Sequence, residues 1–280
     1  MNIINAIINL VNNPVITIHA HYVGRNRANS MGDALEEYIK DLFCGTFDET
    51  DEAKRIEKIS KVFSYLGNNS NPPDGMLFGG DAIEVKKIES VNSALALNSS
   101  YPKHKLYADS PMISNACKTA ENWTEKDIIY AVGIVNDNSL KHLTFVYGLD
   151  YAASDEIYSR IKMKIKDGVE TIPDVEFADT KELGRVNKVD PLGITYLRVR
   201  GMWGIENPFS VFDYVYKRDF TKDFNFMCII NDEKFSTFAN RQSLIDLCST
   251  NTALSITDVK IKNPDNPAKL VNAKLITYTI

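Results

Sequence analysis

Residues 71–87, NPPDGMLFGGDAIEVKK, constrain the fold more than any other part of the chain. The prolines and the paired glycines favour turns, and the apolar run that follows them is typical of a buried strand. Two charges, Glu84 and Lys86, interrupt this run. Side chains alternate along a strand, so both charges face one side while Ile83 and Val85 face the other. Because charge inside a strand is costly without a partner, the stretch predicts a hairpin with a chemically special face.

Asp74, upstream of the turn, decides whether a second carboxylate joins that face. A strict two-residue turn at Gly79-Gly80 would place Asp74 opposite Val85, on the wrong side of the hairpin. An odd-length loop or a bulge would place it opposite Glu84 instead. The pattern therefore predicts an odd loop, a bulge, or an Asp74 that lies just before regular pairing begins.

Two interpretations of this face remain open. Paired carboxylates beside a lysine suit Mg²⁺, which binds through one or two carboxylates together with phosphate oxygens. Lys86 could then orient or help to deprotonate an attacking water. The alternative is a surface ion pair on an edge strand. An acidic residue two before a lysine occurs five times in the chain, but only here does it follow a Pro-Asp pair at hairpin distance.

The remaining pattern mixes helices and strands and predicts an α/β fold, with a central mixed β-sheet flanked by helices. We expect helices at 2–13, 29–45, 51–67, 152–167 and 236–249, with a turn-rich break at 68–75 after the third. We expect strands at 75–78, 81–88, 127–135, 141–149, 193–199, 224–231, 253–262 and 269–279, the third and fourth forming an antiparallel pair. Without repeats or low-complexity linkers, the chain is predicted to be a single domain over 1–280, with 1–150 as its core and 151–280 as an elaboration.

Composition narrows the functional class only slightly. The 280 residues are 44% hydrophobic and 25% charged, as in ordinary soluble proteins, and no apolar run suggests a membrane span or a signal peptide. Four scattered cysteines favour reduced thiols in a cytoplasm. The net charge of −5 disfavours a nucleic-acid partner at first, yet an acidic chain can carry a local basic cleft, and a metal-dependent nuclease needs carboxylates there.

PPD followed by EVK at this spacing resembles the PD-(D/E)xK nuclease superfamily. Three stretches together resemble the NgoPII family of type II restriction endonucleases over nearly the whole chain: NPVITIHAHYVGRNRANSMGDALEEYIKDLF, PPDGMLFGGDAIEVKKIES and YLRVRGMWGIENPFSVF. The resemblance implies a restriction-endonuclease-like core in a bacterial, cytoplasmic homodimer. It also implies Mg²⁺-dependent cleavage of double-stranded DNA at a short palindrome, expected to be GGCC, with 5′-phosphate products, and a cognate DNA methyltransferase in the same system.

The resemblance also implies roles for particular residues. Asp74 and Glu84 match the metal ligands, and Lys86 matches the catalytic lysine. A helix before the hairpin often supplies another acidic residue, for which Glu36 and its neighbour Glu37 both qualify. Glu36 lies nearer the border of the apolar stripe and is the better candidate.

Five residues are candidates for DNA binding. Arg25 and Arg27 lie in a polar loop, where phosphate contact is easy, although a solvated loop is an equal alternative. Arg198 and Arg200 alternate along a predicted strand and so share a face, from which both could contact guanine bases. The alternative is that they are charges at the edge of a sheet that prevent pairing with another chain. Asn207 is a further candidate for contact with base edges, and the segment 151–280 is expected to carry recognition and dimer contacts.

Two other functions compete with the restriction endonuclease. One is another nuclease of the same superfamily that acts in repair or junction resolution. The other is a DNA-binding protein without catalysis, whose carboxylates only brace a sheet edge. Mg²⁺-dependent cutting at a fixed sequence separates the first hypothesis from both.

Overall fold

A computed structural model describes residues 1–23, 28, 30–68, 71–178 and 183–280. Within these ranges the helices are α1 (Ile3–Asn12), α2 (Met31–Cys44), α3 (Glu52–Val62), α4 (Asn115–Thr119), α5 (Gly148–Tyr151), α6 (Asp155–Glu170), α7 (Pro208–Val211), α8 (Asp232–Thr237) and α9 (Arg241–Thr250), with a π-helical segment at His19–Val23. The strands are β1 (Phe63–Asn68), β2 (Asn71–Leu77), β3 (Ala82–Ile88), β4 (Leu95–Asn98), β5 (Lys105–Tyr107), β6 (Glu125–Asn136), β7 (Ser139–Tyr147), β8 (Glu176–Ala178), β9 (Gly184–Asn187), β10 (Leu197–Val199), β11 (Trp203–Ile205), β12 (Asn225–Asn231), β13 (Leu254–Lys262) and β14 (Leu270–Thr279).

A large mixed sheet organises the fold. Among the described residues it runs in the order β1-β2-β3-β6-β7-β12-β14-β13, with β5 paired to β6. β3 is parallel to β6 and β7 is parallel to β12, whereas the other neighbouring pairs are antiparallel. β10-β9-β8 and β11-β4 form two smaller sheets. The predicted mixed sheet and the antiparallel β6–β7 pair are confirmed.

Helices cover both faces of the large sheet, as predicted. One face packs its apolar side chains against α1, α2, α8 and α9, with Tyr38 of α2 and Phe145 of β7 fully buried between them. The other face packs against α4, α5, α7 and the segment after α7, where Phe212 is buried. Three strands of the second half, β12, β13 and β14, extend the same sheet that the first half begins.

The junction before the hairpin differs from the prediction. The third helix was expected to run to Gly67, and a turn-rich break was expected after it. Instead α3 ends at Val62, and the next residues form β1 along β2. Phe63 and Tyr65 are buried at a spacing of two, which is the strand period rather than the helical one. The Asn-Pro-Pro segment from Asn71 onward is part of β2 rather than a turn.

Two other predicted elements are shorter than expected. The helix predicted at 236–249 is interrupted, because Phe238 has extended backbone between α8 and α9. The strand predicted at 193–199 is shorter in the structure, where β10 begins at Leu197. Gly193 has a φ of +68°, which a β-strand cannot accommodate. Among the described residues, no helix is both long and apolar enough to cross a membrane.

Candidate active site

A cleft of about 820 Å³ opens beside the β2–β3 hairpin. Its walls come from the first half of α2, the hairpin, the segment 96–103 and the residues that follow β10. Charged side chains of both signs line it: Asp33, Glu36, Asp74, Glu84, Lys86, Lys103, Arg198 and Arg200. The carboxylates of the hairpin are largely buried, while both arginines are exposed, so the cleft has an acidic floor and a basic rim.

The hairpin register brings Asp74 to the face of Glu84. Gly75 pairs with Ile83 and Met76 with Ala82, so the loop between Met76 and Ala82 has an odd number of residues. One further step along this register places Asp74 opposite Glu84, and opposed residues share a face. The odd loop that the pattern required is present.

Asp74 also replaces a missing backbone interaction. Prolines 72 and 73 have no N–H to donate, and β2 separates from β3 beyond Gly75. The Val85 N–H, which has no backbone partner on β2, donates instead to the side-chain Oδ2 of Asp74 at 2.6 Å. This bond fixes the Asp74 carboxylate across the gap between the strands, where the cleft begins.

Glu84 and Lys86 form an ion pair that leaves one carboxylate oxygen unused. Lys86 Nζ donates to Glu84 Oε1 at 2.5 Å, and the Glu84 side chain is only 12% exposed. Glu84 Oε2 is buried and has no hydrogen-bond partner among the described residues. A buried carboxylate oxygen without a hydrogen-bond partner lowers the stability of the fold, so Oε2 is a candidate position for binding a ligand.

The electrostatics of the hairpin follow from burial and crowding. Burial, together with the neighbouring Asp74 charge, raises the pKa of Glu84 to about 7 against the opposing effect of Lys86. Burial also raises the pKa of Asp74, although Lys86 and the Val85 N–H oppose it. Burial lowers the pKa of Lys86, but Glu84 and Asp74 outweigh it, and the net direction is upward. Lys86 is therefore an ammonium group and a hydrogen-bond donor.

The structure separates the two adjacent glutamates of α2. Glu36 lines the cleft, and burial followed by the Asp74 charge raises its pKa to about 6. Glu37 instead pairs with Arg55 of α3 at 2.6 Å and with Lys40 at 2.7 Å. Because Glu37 is held by these two cations, Glu36 is the helix carboxylate that faces the hairpin.

The residues present fit a divalent cation. The donors on the hairpin are hard carboxylate oxygens, and one of them is unsatisfied among the described residues. Burial raises the pKa of both carboxyl groups and the Asp74 charge raises that of Glu84 further, which a cation would relieve. Among the described residues no three acidic, histidine or cysteine side chains converge to hold an ion unaided. Two carboxylates are nevertheless enough for Mg²⁺, which keeps waters and takes phosphate oxygens from a substrate.

The predicted DNA-binding residues differ in their position relative to the cleft. Arg198 and Arg200 both line the cleft, Arg198 within β10 and Arg200 directly after it. Arg25 and Arg27 lie outside the described residues. Asn207 is fully buried and does not face the cleft.

Asn207 has a structural role instead of the predicted one. Its Nδ2 donates to the carbonyls of Val91 at 2.7 Å and Ser93 at 2.8 Å, while its Oδ1 accepts the Ser210 N–H and caps α7. Its side-chain donors and acceptor are therefore already engaged, and contact with a base edge would break them. The sequence held this signal, because Asn followed by Pro is a typical helix start.

Sequence reasoning also overlooked residues of the cleft. Lys103 and Tyr130 lie in its wall, and Tyr130 on β6 is the register partner of Glu84 on β3. An alternating strand pattern could have indicated Tyr130, which shares the face of Glu84. No periodic signal marks Lys103, which lies in an irregular segment before β5.

Comparison with known proteins identifies the family of the chain. The family model of the NgoPII restriction endonuclease matches residues 1–262. The type II restriction enzyme NgoPII of Neisseria gonorrhoeae is 62% identical over 279 residues, which cover 99% of each chain. No solved structure matches the chain. The resemblance inferred from the three sequence stretches is confirmed, and the chain belongs to the NgoPII restriction endonuclease family.

Proposed function

We propose that this protein, a type II restriction endonuclease by family, cuts both strands of DNA at a short palindromic G/C-rich site, expected to be GGCC, with Mg²⁺ and with 5′-phosphate products. The observation that carries the proposal is the hairpin, where two opposed carboxylates and a lysine border one cleft. A phosphodiester fits between such an acidic floor and the arginines of the rim.

Asp74 and Glu84 would hold the Mg²⁺. Asp74 is already fixed in the gap by the Val85 N–H, and Glu84 offers its unsatisfied Oε2. The ion would neutralise charge that develops on the phosphate and lower the pKa of a bound water. Burial raises the pKa of both carboxyl groups, so their charged forms destabilise the fold, and such shifted pKa values are common at functional sites.

Lys86 and Glu36 act beside these ligands. As an ammonium bound to Glu84, Lys86 donates hydrogen bonds and can orient a water or contact a phosphate oxygen. Its raised pKa favours this orienting role over that of a general base. Glu36, half-buried on α2 where it lines the cleft and with a pKa of about 6, can accept a proton or a hydrogen bond from a water in the cleft.

Recognition of a G/C-only site calls for donors that reach guanine. Arg198 and Arg200 support this role, because both are exposed at the rim of the cleft that contains the carboxylates. A bidentate arginine–guanine contact contributes about 1–3 kcal/mol of discrimination. Arg25 and Arg27 remain predicted phosphate contacts.

A palindrome presents two equal half-sites, so we propose a homodimer with two-fold symmetry. Sedimentation of the protein with and without a site-containing duplex tests this directly. We also propose that the protein acts in a bacterial cytoplasm beside a cognate DNA methyltransferase. In that case DNA already methylated at the site resists cleavage.

The test of the proposal is digestion of a plasmid of known sequence by purified protein, in Mg²⁺ and in EDTA. Discrete fragments that require Mg²⁺, map to GGCC, and have ends that need dephosphorylation before kinase labelling are the expected result. Fragments that map to another fixed sequence would overturn the GGCC assignment alone. Intact plasmid together with tight DNA binding would favour a protein that binds without cutting.

A further inference from the structure

Lys103, in the wall of the candidate active site, is a buried lysine without a counter-ion among the described residues. Its side chain lines the cleft, and the residue is only 6% exposed. Among the described residues no carboxylate or carbonyl oxygen lies within ion-pair or hydrogen-bond distance of its ammonium group. Its contact is with the ring of Tyr101, whose centroid is 3.6 Å from Nζ. Burying an ammonium group without an anion is costly, so the position requires an explanation.

Another buried lysine of the same protein shows the usual solution. Lys126 is also 6% exposed, but its ammonium group donates to the carbonyls of Leu77 at 3.1 Å and Gly80 at 2.7 Å and pairs with Glu121. The fold therefore satisfies a buried ammonium group where that group is structural. Lys103 has no such oxygens around its ammonium group within the described part of the chain and lines the cleft instead.

The backbone of Lys103 is tied to the strand beside Glu84. The Tyr130 hydroxyl accepts the Lys103 N–H at 2.6 Å and donates to the Lys103 carbonyl at 3.2 Å. Tyr130 is the register partner of Glu84 on the adjacent parallel strand, roughly 5 Å away. The Lys103 backbone is therefore held at the tip of the Tyr130 side chain, whose strand lies next to that of Glu84.

The ring beneath the ammonium group is also fixed. Tyr101 stacks on Tyr158 with centroids 5.4 Å apart and meets Trp203 edge-on at 5.9 Å. Its hydroxyl donates to Asp155 Oδ2 at 3.2 Å, whereas Asp155 Oδ1 is buried and has no hydrogen-bond partner among the described residues. Burial lowers the pKa of Lys103, and the Asp155 charge opposes this only in part, as expected for a buried cation that no anion among the described residues contacts directly.

We propose that Lys103 binds a backbone phosphate of the substrate DNA next to the scissile phosphate, while the Tyr101 ring holds the ammonium group in place before DNA arrives. The inference rests on the proposed nuclease function, because it names a second contact in the same cleft. A phosphate would provide the missing anion without displacing any existing ion pair of Lys103. The scissile phosphate itself would lie beside Lys86, which is bound to Glu84.

The test uses Lys103→Met with Lys105→Met as the matched control. Lys105 is two residues away, pairs with Glu125 at 2.6 Å and does not line the cleft. Binding of a site-containing duplex is followed by fluorescence anisotropy in EDTA, between about 50 and 200 mM salt. Loss of one phosphate contact reduces the slope of log K against log salt by about 0.9 for each bound chain. We expect this reduction in Lys103→Met, no change in Lys105→Met, and a restored slope in Lys103→Arg.

A purely structural role for Lys103 predicts different results. In that case Lys103→Met would lower the thermal midpoint and leave the salt slope unchanged. Our inference expects a midpoint at or above that of the wild type, because methionine removes an unpaired buried charge and keeps the side-chain length. If Lys103→Met fails to fold, Lys103→Gln gives the same slope comparison. An unchanged slope in a folded variant overturns the inference.

The same preparations separate this inference from the proposed function. Wild-type protein that neither binds nor cuts DNA in Mg²⁺ would overturn both. Wild-type protein that cuts DNA while Lys103→Met keeps the full salt slope would overturn only the role of Lys103.

Discussion

Replacing Glu84 with glutamine should abolish cleavage and yet stabilise the metal-free protein. The pKa of Glu84 is raised to about 7 from an ordinary value of 4.5, first by burial and then by the Asp74 charge. Between these two values the folded protein holds a proton that the unfolded chain has lost, so stability falls as the pH rises through this window. A pKa displacement of this size corresponds to about 3 kcal/mol at pH 8.

Glutamine removes this cost because it keeps the shape of the side chain without the charge. In EDTA at pH 8, Glu84→Gln should therefore raise the free energy of unfolding by up to about 3 kcal/mol, as measured by urea denaturation. At pH 5 most of the folded wild type carries the proton, and the gain should shrink to about 1 kcal/mol. Added Mg²⁺ should stabilise the wild type, and its effect on the variant should be weaker.

Glu89→Gln is the matched control, because Glu89 is an exposed carboxylate that pairs with Lys87 at 2.9 Å. It should change stability little at either pH and leave cleavage intact. If Glu84→Gln were as stable as the wild type, or less stable, at pH 8 in EDTA, the claim that the ionised Glu84 carboxylate destabilises the fold would be refuted.

Three further predictions concern other positions. Arg55→Met should lower the free energy of unfolding, measured by urea denaturation, by about 3–5 kcal/mol, because it leaves the fully buried Asp41 without its cation. A loss below about 1 kcal/mol would contradict this. Gly67→Ala should reduce both stability and cleavage, because its new Cβ would lie 2.3 Å from the Pro73 carbonyl oxygen, next to Asp74. Gly168→Ala, in open space, should change neither. His142 is buried, and neither ring nitrogen has a hydrogen-bond partner among the described residues. Burial lowers its pKa, so stability falls as the pH drops below the ordinary value of 6.5. His142→Phe should therefore lose about 1 kcal/mol less than the wild type between pH 6 and pH 5, and equal acid sensitivity would argue against this.

The hairpin could be derived from the sequence because strand alternation is a strict rule. Once Glu84 and Lys86 share a face, Asp74 can join them through an odd loop, a bulge or a position just before regular pairing, and the observed register has the odd loop. The choice between Glu36 and Glu37 could not be derived with the same force. It depends on Arg55, which reaches Glu37 from another helix, and such a tertiary contact leaves no local pattern.

Other failures have different causes. Phe63 and Tyr65 follow α3 without a glycine or proline, so nothing in the sequence marks the change from helix to strand. Asn207 was predicted to face DNA although its Asn-Pro pair also marks a helix cap, and burial decided between the two roles. Lys103 became visible only when the fold placed it in the cleft wall.

The central claim is that Asp74, Glu84 and Lys86 act together on one phosphodiester. Single-turnover cleavage of a duplex with one site, in Mg²⁺, tests it most directly with Asp74→Asn, Glu84→Gln and Lys86→Ala beside Glu89→Gln. We predict that each of the first three variants loses at least about 100-fold in rate while still binding the duplex, and that Glu89→Gln cuts at the wild-type rate. A folded Lys86→Ala or Glu84→Gln variant that cuts as fast as the wild type would contradict the account.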